Sequence, residues 1–229
     1  ALVHAPLLMS AAANDPAEDV RVEAVASLAA YVYRATITCD LDAAQYAVIR
    51  DFLIRMAGDA SAPMRVRAEA VQSLAYDDAE EICKLVEWAY RHEDSCLRLG
   101  AMCAMGRGAI ERWTPYILSE LYARDRRMRV QAIRAASEAC VEDATPMLRN
   151  LALASDREVR VEAIEALPYT CGPGALETLE LCAGDEDAEV RDAAQKAIEV
   201  LRAYKDAEAD FSELPGEEEA EDEDEPTDE

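Results

Sequence analysis

Several residue types and patterns are scarce in this 229-residue chain, and their scarcity argues against whole classes of protein. The seven cysteines are an odd number and include no C-x-x-C pair, which speaks against a disulfide framework or a zinc site. No apolar run approaches the roughly 18 residues that a membrane-spanning helix needs. No glycine-rich phosphate loop or nucleophile elbow is present. We therefore expect a cytoplasmic protein that is not an enzyme and has no metal and no cofactor.

Basic residues are also in short supply, since 23 lysines and arginines face 48 aspartates and glutamates, for a formal net charge of −25. Phosphate backbones are bound by positive surfaces, so nucleic acid is not the expected partner. Fourteen of the acidic residues and none of the basic residues lie in the segment 206–229. Such a segment cannot bury enough apolar surface to offset chain entropy. We predict an acidic disordered tail over residues 205–229.

Sustained strand-type alternation is missing, and the pattern found in its place is a repeat. One apolar, arginine-containing segment recurs six times, and the last four intervals are each 31 residues long. We number the positions of each copy from its first, apolar residue. These first residues are Val20, Val66, Leu97, Met128, Val159 and Val190. A fixed period of this length indicates one supersecondary unit stacked on itself.

Each copy has the pattern of one helix face. Position two is arginine and position five is alanine in all six copies, while positions eight and nine are small or apolar. Because positions one, five, eight and nine form one stripe at helical spacing, each copy predicts a helix that buries this stripe. The small residue in the middle of the stripe lets a neighbouring helix approach closely. We name this second helix of each repeat helix B.

A first helix, helix A, is predicted before each helix B. Pro115 and Pro146 suit the first turn of helix A, where no amide donor is needed. An aspartate three residues before position one predicts an N-cap for helix B. These aspartates are Asp94, Asp125, Asp156 and Asp187. The predicted fold is all-α, a solenoid of six stacked antiparallel helix pairs over residues 1–204.

The unit D-x-x-V-R-x-x-A-x-x-A-L, found at residues 156–167, resembles the short HEAT-type repeat of phycobilin lyases and many other proteins. The resemblance covers roughly residues 1–204. It implies an α-solenoid whose B helices line a concave face, and it implies little about function. His92 and Glu93 are similar to one His-Glu pair of the HEAT-type di-iron hydroxylases, but that family needs several such pairs on facing repeats.

The first interval departs from the period. It is 15 residues longer than the others, and the extra chain includes residues 35–42. This segment is either an insertion at an exposed edge of the solenoid or a loop that contacts the partner. The first helix A, predicted over residues 2–13, is apolar and has no polar capping repeat before it. We therefore expect further repeats upstream of residue 1.

The arginine at position two of every copy predicts a structural ladder in which each guanidinium pairs with an aspartate of the A–B turns. The ladder consists of Arg21, Arg67, Arg98, Arg129, Arg160 and Arg191, with Asp94, Asp125, Asp156 and Asp187. A row of ligand-binding arginines is the alternative. Additional arginines at 124, 126 and 127 either solvate their turn or attract an acidic partner, including this chain's own tail.

Positions four, seven and eleven of each helix B face outward, toward the concave side, if the stripe is buried. The candidate partner-binding residues at these positions are Glu23, Glu69, Gln72, Tyr76, Arg107, Gln131, Arg134, Glu162, Glu165 and Tyr169. Glutamates lie toward both ends and arginines in the centre, with Tyr76 and Tyr169 as aromatic anchors. This face is either an ordinary solvated surface or a groove for a protein or peptide.

Two functions from different classes follow. The first is a non-catalytic scaffold or adaptor that binds a protein or peptide along the concave groove. The alternative, suggested only by the resemblance, is a phycobilin-lyase-like accessory factor that handles a tetrapyrrole chromophore. A solenoid that handles DNA is a third hypothesis, which a salt-dependent gel shift would reveal.

Overall fold

The computed structural model describes the backbone of residues 4–212, which form twelve α-helices and no strand. The helices are α1 (Ala5–Asn14), α2 (Glu18–Thr36), α3 (Ala43–Gly58), α4 (Met64–Ser73), α5 (Glu80–Tyr90), α6 (Ser95–Gly108), α7 (Thr114–Glu120), α8 (Arg126–Glu138), α9 (Thr145–Leu151), α10 (Arg157–Thr170), α11 (Ala175–Cys182) and α12 (Ala188–Ser212). Short 3-10 turns, Glu111–Trp113 and Glu142–Ala144, precede α7 and α9. Over this range, no helix is both long and apolar enough to cross a membrane.

The helices stack as an α-solenoid, which confirms the predicted fold class. The odd-numbered helices are the A helices, and each packs against the B helix that follows it. The B helices also pack on one another in sequence from α2 to α12, whereas successive A helices touch each other little. A stack that is tight on one side and open on the other curves. The B helices therefore line its inner side.

The alanine at position five is buried in every B helix, with at most 5% of its surface exposed. These alanines are Ala24, Ala70, Ala101, Ala132, Ala163 and Ala194. Positions one and eight are buried from the second repeat onward, but in the first repeat Val20 is 45% exposed and Ser27 is also exposed. Both residues face the side of the first helix pair on which no described helix packs. The equivalent Ser73 shows what normally covers this side, because its hydroxyl donates to the carbonyl of Val25 on α2 at 3.1 Å.

The helix ends follow the local signals in the sequence. Each of the four predicted aspartate caps accepts a hydrogen bond from a main-chain N–H in the first turn of its B helix, which confirms the predicted caps. The caps are Asp94, Asp125, Asp156 and Asp187, with N···O distances of 2.7 to 3.3 Å. Pro115 and Pro146 lie in the first turns of α7 and α9. There the missing N–H removes no helical hydrogen bond.

The arginines at position two bind main-chain carbonyls rather than the four aspartates that the sequence suggested as partners, although Arg160 Nε also lies 3.8 Å from the carboxylate of Asp185. Each guanidinium donates to a carbonyl at or just beyond the end of helix A in its own repeat, at 2.8 to 3.3 Å. The carbonyls belong to Ala12, Ala57, Glu93, Ala123, Ala154 and Asp185. The last carbonyls of a helix have no intrahelical donor and carry partial negative charge, which favours a cation there. Each arginine therefore joins helix A to helix B within one repeat.

A different set of arginines connects neighbouring repeats to the capping aspartates. Arg126 Nε lies 3.1 Å from Asp156 Oδ2, and Arg157 Nε lies 3.0 Å from Asp187 Oδ2. Each of these arginines also contacts the glutamate two residues beyond its aspartate. Because the two pairs lie 31 residues apart, they form an ionic ladder in register with the repeat. All four side chains are at least 31% exposed, so each pair contributes modestly to stability.

Replacing Arg160 by alanine is expected to lower the free energy of unfolding by about 1–2 kcal/mol, because two turn carbonyls lose a charged donor. Arg160 Nη1 donates to the carbonyls of Ala154 at 3.2 Å and Ser155 at 3.3 Å. The matched control is Arg157→Ala, three residues earlier in α10, which removes exposed ion pairs and costs less than about 1 kcal/mol. Chemical denaturation of the two variants measures the difference. A larger loss of stability for Arg157→Ala than for Arg160→Ala would contradict the stabilising role of the hydrogen bonds from Arg160 to the turn carbonyls.

Non-glycine residues adopt the left-handed conformation after three successive B helices. Ala109 has φ of 47°, and Cys140 and Cys171, each 31 residues further along, have φ of 50°. A Cβ in this conformation costs roughly 1–2 kcal/mol. We expect Ala109→Gly and Cys140→Gly each to raise the free energy of unfolding by about 0.5–1 kcal/mol, measured by denaturant titration. Ala30→Gly, on an exposed face inside α2, is the control and should lower it by about 1 kcal/mol. An equal decrease in the free energy of unfolding in all three variants would contradict the expectation.

Two predicted boundaries differ from the helices. The backbone of α12 continues to Ser212, beyond the predicted solenoid end at 204, and the remainder of the predicted tail, 213–229, lies outside the described residues. Residues 35 and 36 belong to α2, so the predicted 35–42 insertion is helical at its start. Helices α2 and α3 have 19 and 16 residues and absorb most of the extra length. The loop 37–42 that remains is held by Arg34, whose Nε donates to Asp40 at 3.1 Å.

Candidate functional site

The predicted partner-binding residues lie at equivalent positions on or directly after successive B helices, and we call the side of the stack that these positions share the inner groove. All ten predicted residues are exposed or half-buried, and three more residues from the same helical positions complete the surface. The inner groove consists of Glu23, Glu69, Gln72, Tyr76, Arg107, Gln131, Arg134, Glu138, Glu162, Glu165, Tyr169, Lys196 and Val200. Because neighbouring B helices supply equivalent positions, the groove runs across the helices and along the solenoid axis.

The C-terminal half of the inner groove deepens into a cavity of about 400 Å³ between α8, α10 and α12. Four of the predicted residues line it, together with three that the list of candidates did not contain. The lining side chains include Arg134, Glu162, Glu165, Tyr169, Glu138, Lys196 and Val200. Pro168 also lies in its wall, inside α10, where it cannot donate a helical hydrogen bond. The cavity combines apolar walls with charges of both signs, as recognition sites do.

Among the basic residues of the groove, Arg134 has its positive charge most fully balanced by nearby carboxylates. Its Nε donates to Glu162 Oε2 at 2.8 Å, and its Nη2 contacts the other carboxylate oxygen. This two-point hydrogen bond raises the pKa of Arg134, and the nearby charges of Glu165 and Glu138 raise it further. The guanidinium therefore holds several carboxylates of neighbouring B helices around one point, and it is not free to bind an anion from outside.

The centre of the groove contains ionisable groups without direct partners. Arg107 forms no hydrogen bond or ion pair with any residue of the described chain, and the same holds for the carboxylates of Glu69 and Glu138. Burial raises the pKa of both carboxyls, and the charge of Arg107 offsets this only in part. Burial likewise raises the pKa of the Cys103 thiol to about 11. This thiol stays protonated near neutral pH, so it is a packing group rather than a nucleophile.

Replacing Glu69 by glutamine is expected to raise the melting temperature at pH 7. A carboxyl whose folded pKa is raised favours folding at low pH, and this contribution is lost as the pH rises through the folded pKa. Glutamine cannot ionise, so the advantage of the variant should shrink as the pH is lowered from 7 toward 4. Melting curves across this range test the prediction. The control is Glu177→Gln, an exposed position on α11. An advantage that grows toward low pH contradicts the prediction.

Two edge-to-face tyrosine pairs mark the two ends of the inner groove. The ring centroids of Tyr33 and Tyr76 are 5.1 Å apart, and those of Tyr169 and Tyr204 are 6.0 Å apart. Tyr33, Tyr169 and Tyr204 are each 40% to 45% exposed. Tyr33 and Tyr204 were missed in the sequence because they stand at positions 14 and 15 of their B helices, beyond position eleven. Helical spacing gives the signal that would have found them, since positions eleven, 14 and 15 share a face.

Some positions expected to face the groove are buried instead. Gly100, Cys103 and Ala193 occupy position four or seven but are buried. The cause is the close approach of neighbouring B helices. A Cβ added at Gly100 would lie 2.9 Å from the carbonyl oxygen of Ala68 on α4. Small residues at these positions form the floor of the groove between neighbouring B helices rather than its exposed lining.

Among the arginines around Arg129, Arg126 and Arg127 line one surface depression together with Arg134 and Glu158, and three of the turn arginines have close partners. Arg126 pairs with carboxylates of the next repeat, Arg127 lies 3.7 Å from the Asp125 carboxylate, and Arg129 binds the carbonyl of Ala123. Their charges are therefore largely met locally. This arrangement favours the interpretation that they solvate and fix their turn over the interpretation that they attract an acidic segment.

The His-Glu pair contributes to a turn. His92 Nδ1 accepts a hydrogen bond from the main-chain N–H of Asp94 at 3.0 Å, between α5 and α6. Within residues 4–212, no group of three or more His, Cys, Asp or Glu side chains is placed so as to hold a metal ion.

Comparisons with known proteins add a family for part of the chain. Residues 114–199 match the family described as HEAT repeats. No curated protein sequence matches the chain significantly. Similar solved structures include an engineered protein, which is 18% identical, with 87% of this chain and 96% of that chain covered and a TM-score of 0.51. A designed armadillo repeat protein in complex with the peptide (KR)4 is also 18% identical, with coverages of 86% and 98% and a TM-score of 0.50.

These structural likenesses concern the fold, since the sequences are far apart. The family match spans α7 to α11 and the first half of α12, the part of the chain that contains nearly all of the residues lining the cavity of the inner groove. Residues 114–199, which match HEAT repeats, consist of the stacked helix pairs of the C-terminal part of the α-solenoid.

Proposed function

We propose that this protein is a non-catalytic interaction scaffold that binds a protein or peptide along the inner groove. The observation that carries the proposal is the cavity between α8, α10 and α12, where charged side chains and Tyr169 converge on one concave surface. Repeat solenoids use extended concave surfaces of this kind for binding. A match to HEAT repeats over residues 114–199 supports an interaction role for the same segment.

The spacing between the two tyrosine pairs indicates the length of the peptide segment that fits the groove. Tyr76 and Tyr169 are separated by three steps between B helices, and each step is roughly 8–10 Å. The anchors are therefore roughly 24–30 Å apart, a distance that about eight residues of extended chain span. Tyrosine combines a large apolar ring with a hydroxyl, which suits partly wet binding sites. A short extended segment of a partner protein fits the groove better than a small molecule does.

A similar solved structure offers a parallel for this mode. The designed armadillo repeat protein named above was solved with the peptide (KR)4. The likeness between the two folds covers 86% of the present chain. The parallel supports a peptide or protein as the partner class of the present solenoid. The alternative function, handling of a tetrapyrrole, depends on the repeat motif alone. Absorbance of the purified protein beyond the aromatic band would favour it.

Selection from a peptide-display library on the immobilised full chain tests the proposal. We expect enriched peptides whose affinity falls about tenfold or more for Tyr169→Ala, as for an aromatic anchor that lines the cavity. The matched control is Tyr122→Ala, which removes a 55% exposed tyrosine after α7 on the outer side. The affinity of this control variant for the enriched peptides should change less than about twofold. Enriched peptides that respond to Tyr122→Ala and not to Tyr169→Ala contradict the proposal.

A further inference from the structure

The charges of the inner groove are unbalanced toward the negative. Five glutamates face three basic residues, and one of the three, Arg134, is already held by Glu162 in a two-point contact. The groove lies on a chain whose formal net charge is −25, so the field around it attracts cations and repels anions. An acidic occupant would have to approach against that field.

Two carboxylates of the groove carry a desolvation cost that the nearby charges of Arg107 and, at Glu138, of Arg134 offset only in part. Glu69 is half-buried on α4, and Glu138 is exposed at the end of α8, with its Oε2 close to Gly106 of the neighbouring α6. Neither carboxylate has a hydrogen bond or an ion pair with a described residue. A partly buried, unpaired carboxylate becomes more favourable when a cation is brought to it.

We propose that the inner groove binds an extended segment that carries lysine or arginine side chains. This deepens the proposed function and rests on it. Glu69 and Glu138 receive basic side chains of the segment, while the tyrosine pairs at the two ends of the groove pack against its apolar parts. Helices α4 and α8 are two B-helix steps apart, roughly 16–20 Å, so the two basic residues are about five or six positions apart in an extended chain. Arg107 lies between them and disfavours a third basic residue at the centre.

Nine-residue labelled peptides test this recognition directly by fluorescence anisotropy with the full chain. The first peptide has lysine at positions two and seven and tyrosine at both ends, with serine and glycine elsewhere. The second and third peptides have glutamate or glutamine in place of the lysines. We expect the lysine peptide to bind most tightly, with a dissociation constant below about 1 mM and an affinity that falls as salt is added.

The variant Glu69→Gln/Glu138→Gln separates groove recognition from general attraction to an acidic protein. It should weaken binding of the lysine peptide about tenfold, and it should remain folded because both replacements remove a desolvated charge. The control is Glu142→Gln/Glu177→Gln, which changes the net charge equally at exposed positions outside the groove. That control should weaken binding less than about twofold.

The outcomes distinguish this inference from the proposed function. Equal weakening by both double variants, or no measurable binding of the lysine peptide, overturns the inference. Tighter binding of the glutamate or glutamine peptide that is lost with Tyr169→Ala also overturns it, but leaves the groove as a peptide site. If library-selected peptides bind and none responds to any groove variant, the proposed function itself is wrong.

Discussion

Gly106→Ala is expected to lower the free energy of unfolding by about 2–3 kcal/mol, although it adds only one methyl group. Gly106 lies on α6 where it crosses α8. An added Cβ would be 2.6 Å from the Cα of Ala135 and 2.9 Å from its Cβ. The contact is with backbone, which cannot rotate away, so the two B helices must move apart. Denaturant unfolding of the full chain measures the loss.

The matched control for this substitution is Gly58→Ala at the end of α3. No atom lies within 4 Å of a Cβ added there. Because alanine restricts the unfolded chain more than glycine does, this variant should be unchanged or more stable by about 0.5–1 kcal/mol. A Gly106→Ala variant as stable as Gly58→Ala would show that close contact between B helices does not hold the solenoid together.

Asp77→Ala is the second substitution with a large expected effect, a loss of about 2–3 kcal/mol. Asp77 is 7% exposed and lies between α4 and α5. Its Oδ2 accepts hydrogen bonds from the hydroxyl of Tyr46 at 2.5 Å and from Arg50 Nε at 2.8 Å, and its Oδ1 accepts from the N–H of Ala79 at 2.9 Å. The loss stays below that of a fully buried pair because Arg50 is 20% exposed and keeps Glu81 at 3.0 Å.

The effect of Asp77→Ala should depend on pH in a defined direction. Burial acts to raise the pKa of Asp77, but the hydrogen bonds from Tyr46, the Ala79 N–H and Arg50 outweigh it, and the net pKa is lowered. A carboxyl with a lowered folded pKa stabilises the fold at neutral pH, and the contribution is lost as the pH falls through that pKa. The stability gap between native chain and variant should therefore narrow in acid.

The adjacent Asp78 supplies the control for this site. Asp78 is exposed, and its side chain makes no hydrogen bond or ion pair with a residue of the described chain. Asp78→Ala should change stability by no more than about 0.5 kcal/mol at any pH. A comparable loss for both variants would mean that the network around Asp77 contributes little.

The repeating part of the structure could be predicted from the sequence because it depends on local, periodic rules. Helical spacing identified the buried stripe, and all six alanines at position five are buried as the stripe requires. Short-range cap and proline signals located the starts of several helices. Each of these rules involves residues within a few positions of one another, so one sequence is sufficient to apply them.

The features that the sequence did not reveal depend on which groups meet across the fold. The arginines at position two could have bound carboxylates or carbonyls, and only the direction of the A–B turn selects carbonyls such as that of Ala123. Tyr46 and Asp77 are 31 residues apart in the sequence and meet because α3 packs beside the loop after α4. Val20 is exposed because of its place in the stack rather than its residue type.

The inner groove likewise has features that the sequence predicted and features that it did not. The period placed Glu162, Glu165 and Tyr169 on the inner side of α10, where they line the cavity. The sequence did not predict which charges would pair with each other. Arg134 is held by Glu162, whereas Glu69 and Glu138 have no direct partner, and the proposal of a basic ligand rests on this difference. Pairing between neighbouring helices depends on side-chain distances that a repeat pattern does not contain.

Hydrogen exchange measured by mass spectrometry, with and without a library-selected peptide, is the most direct test of the inner groove as the binding surface. The account predicts slower exchange on binding in the B helices α4, α6, α8 and α10, which the bound segment crosses, and unchanged exchange in the outer helices α7, α9 and α11. Slower exchange confined to these outer helices, with no change in the B helices, would contradict it.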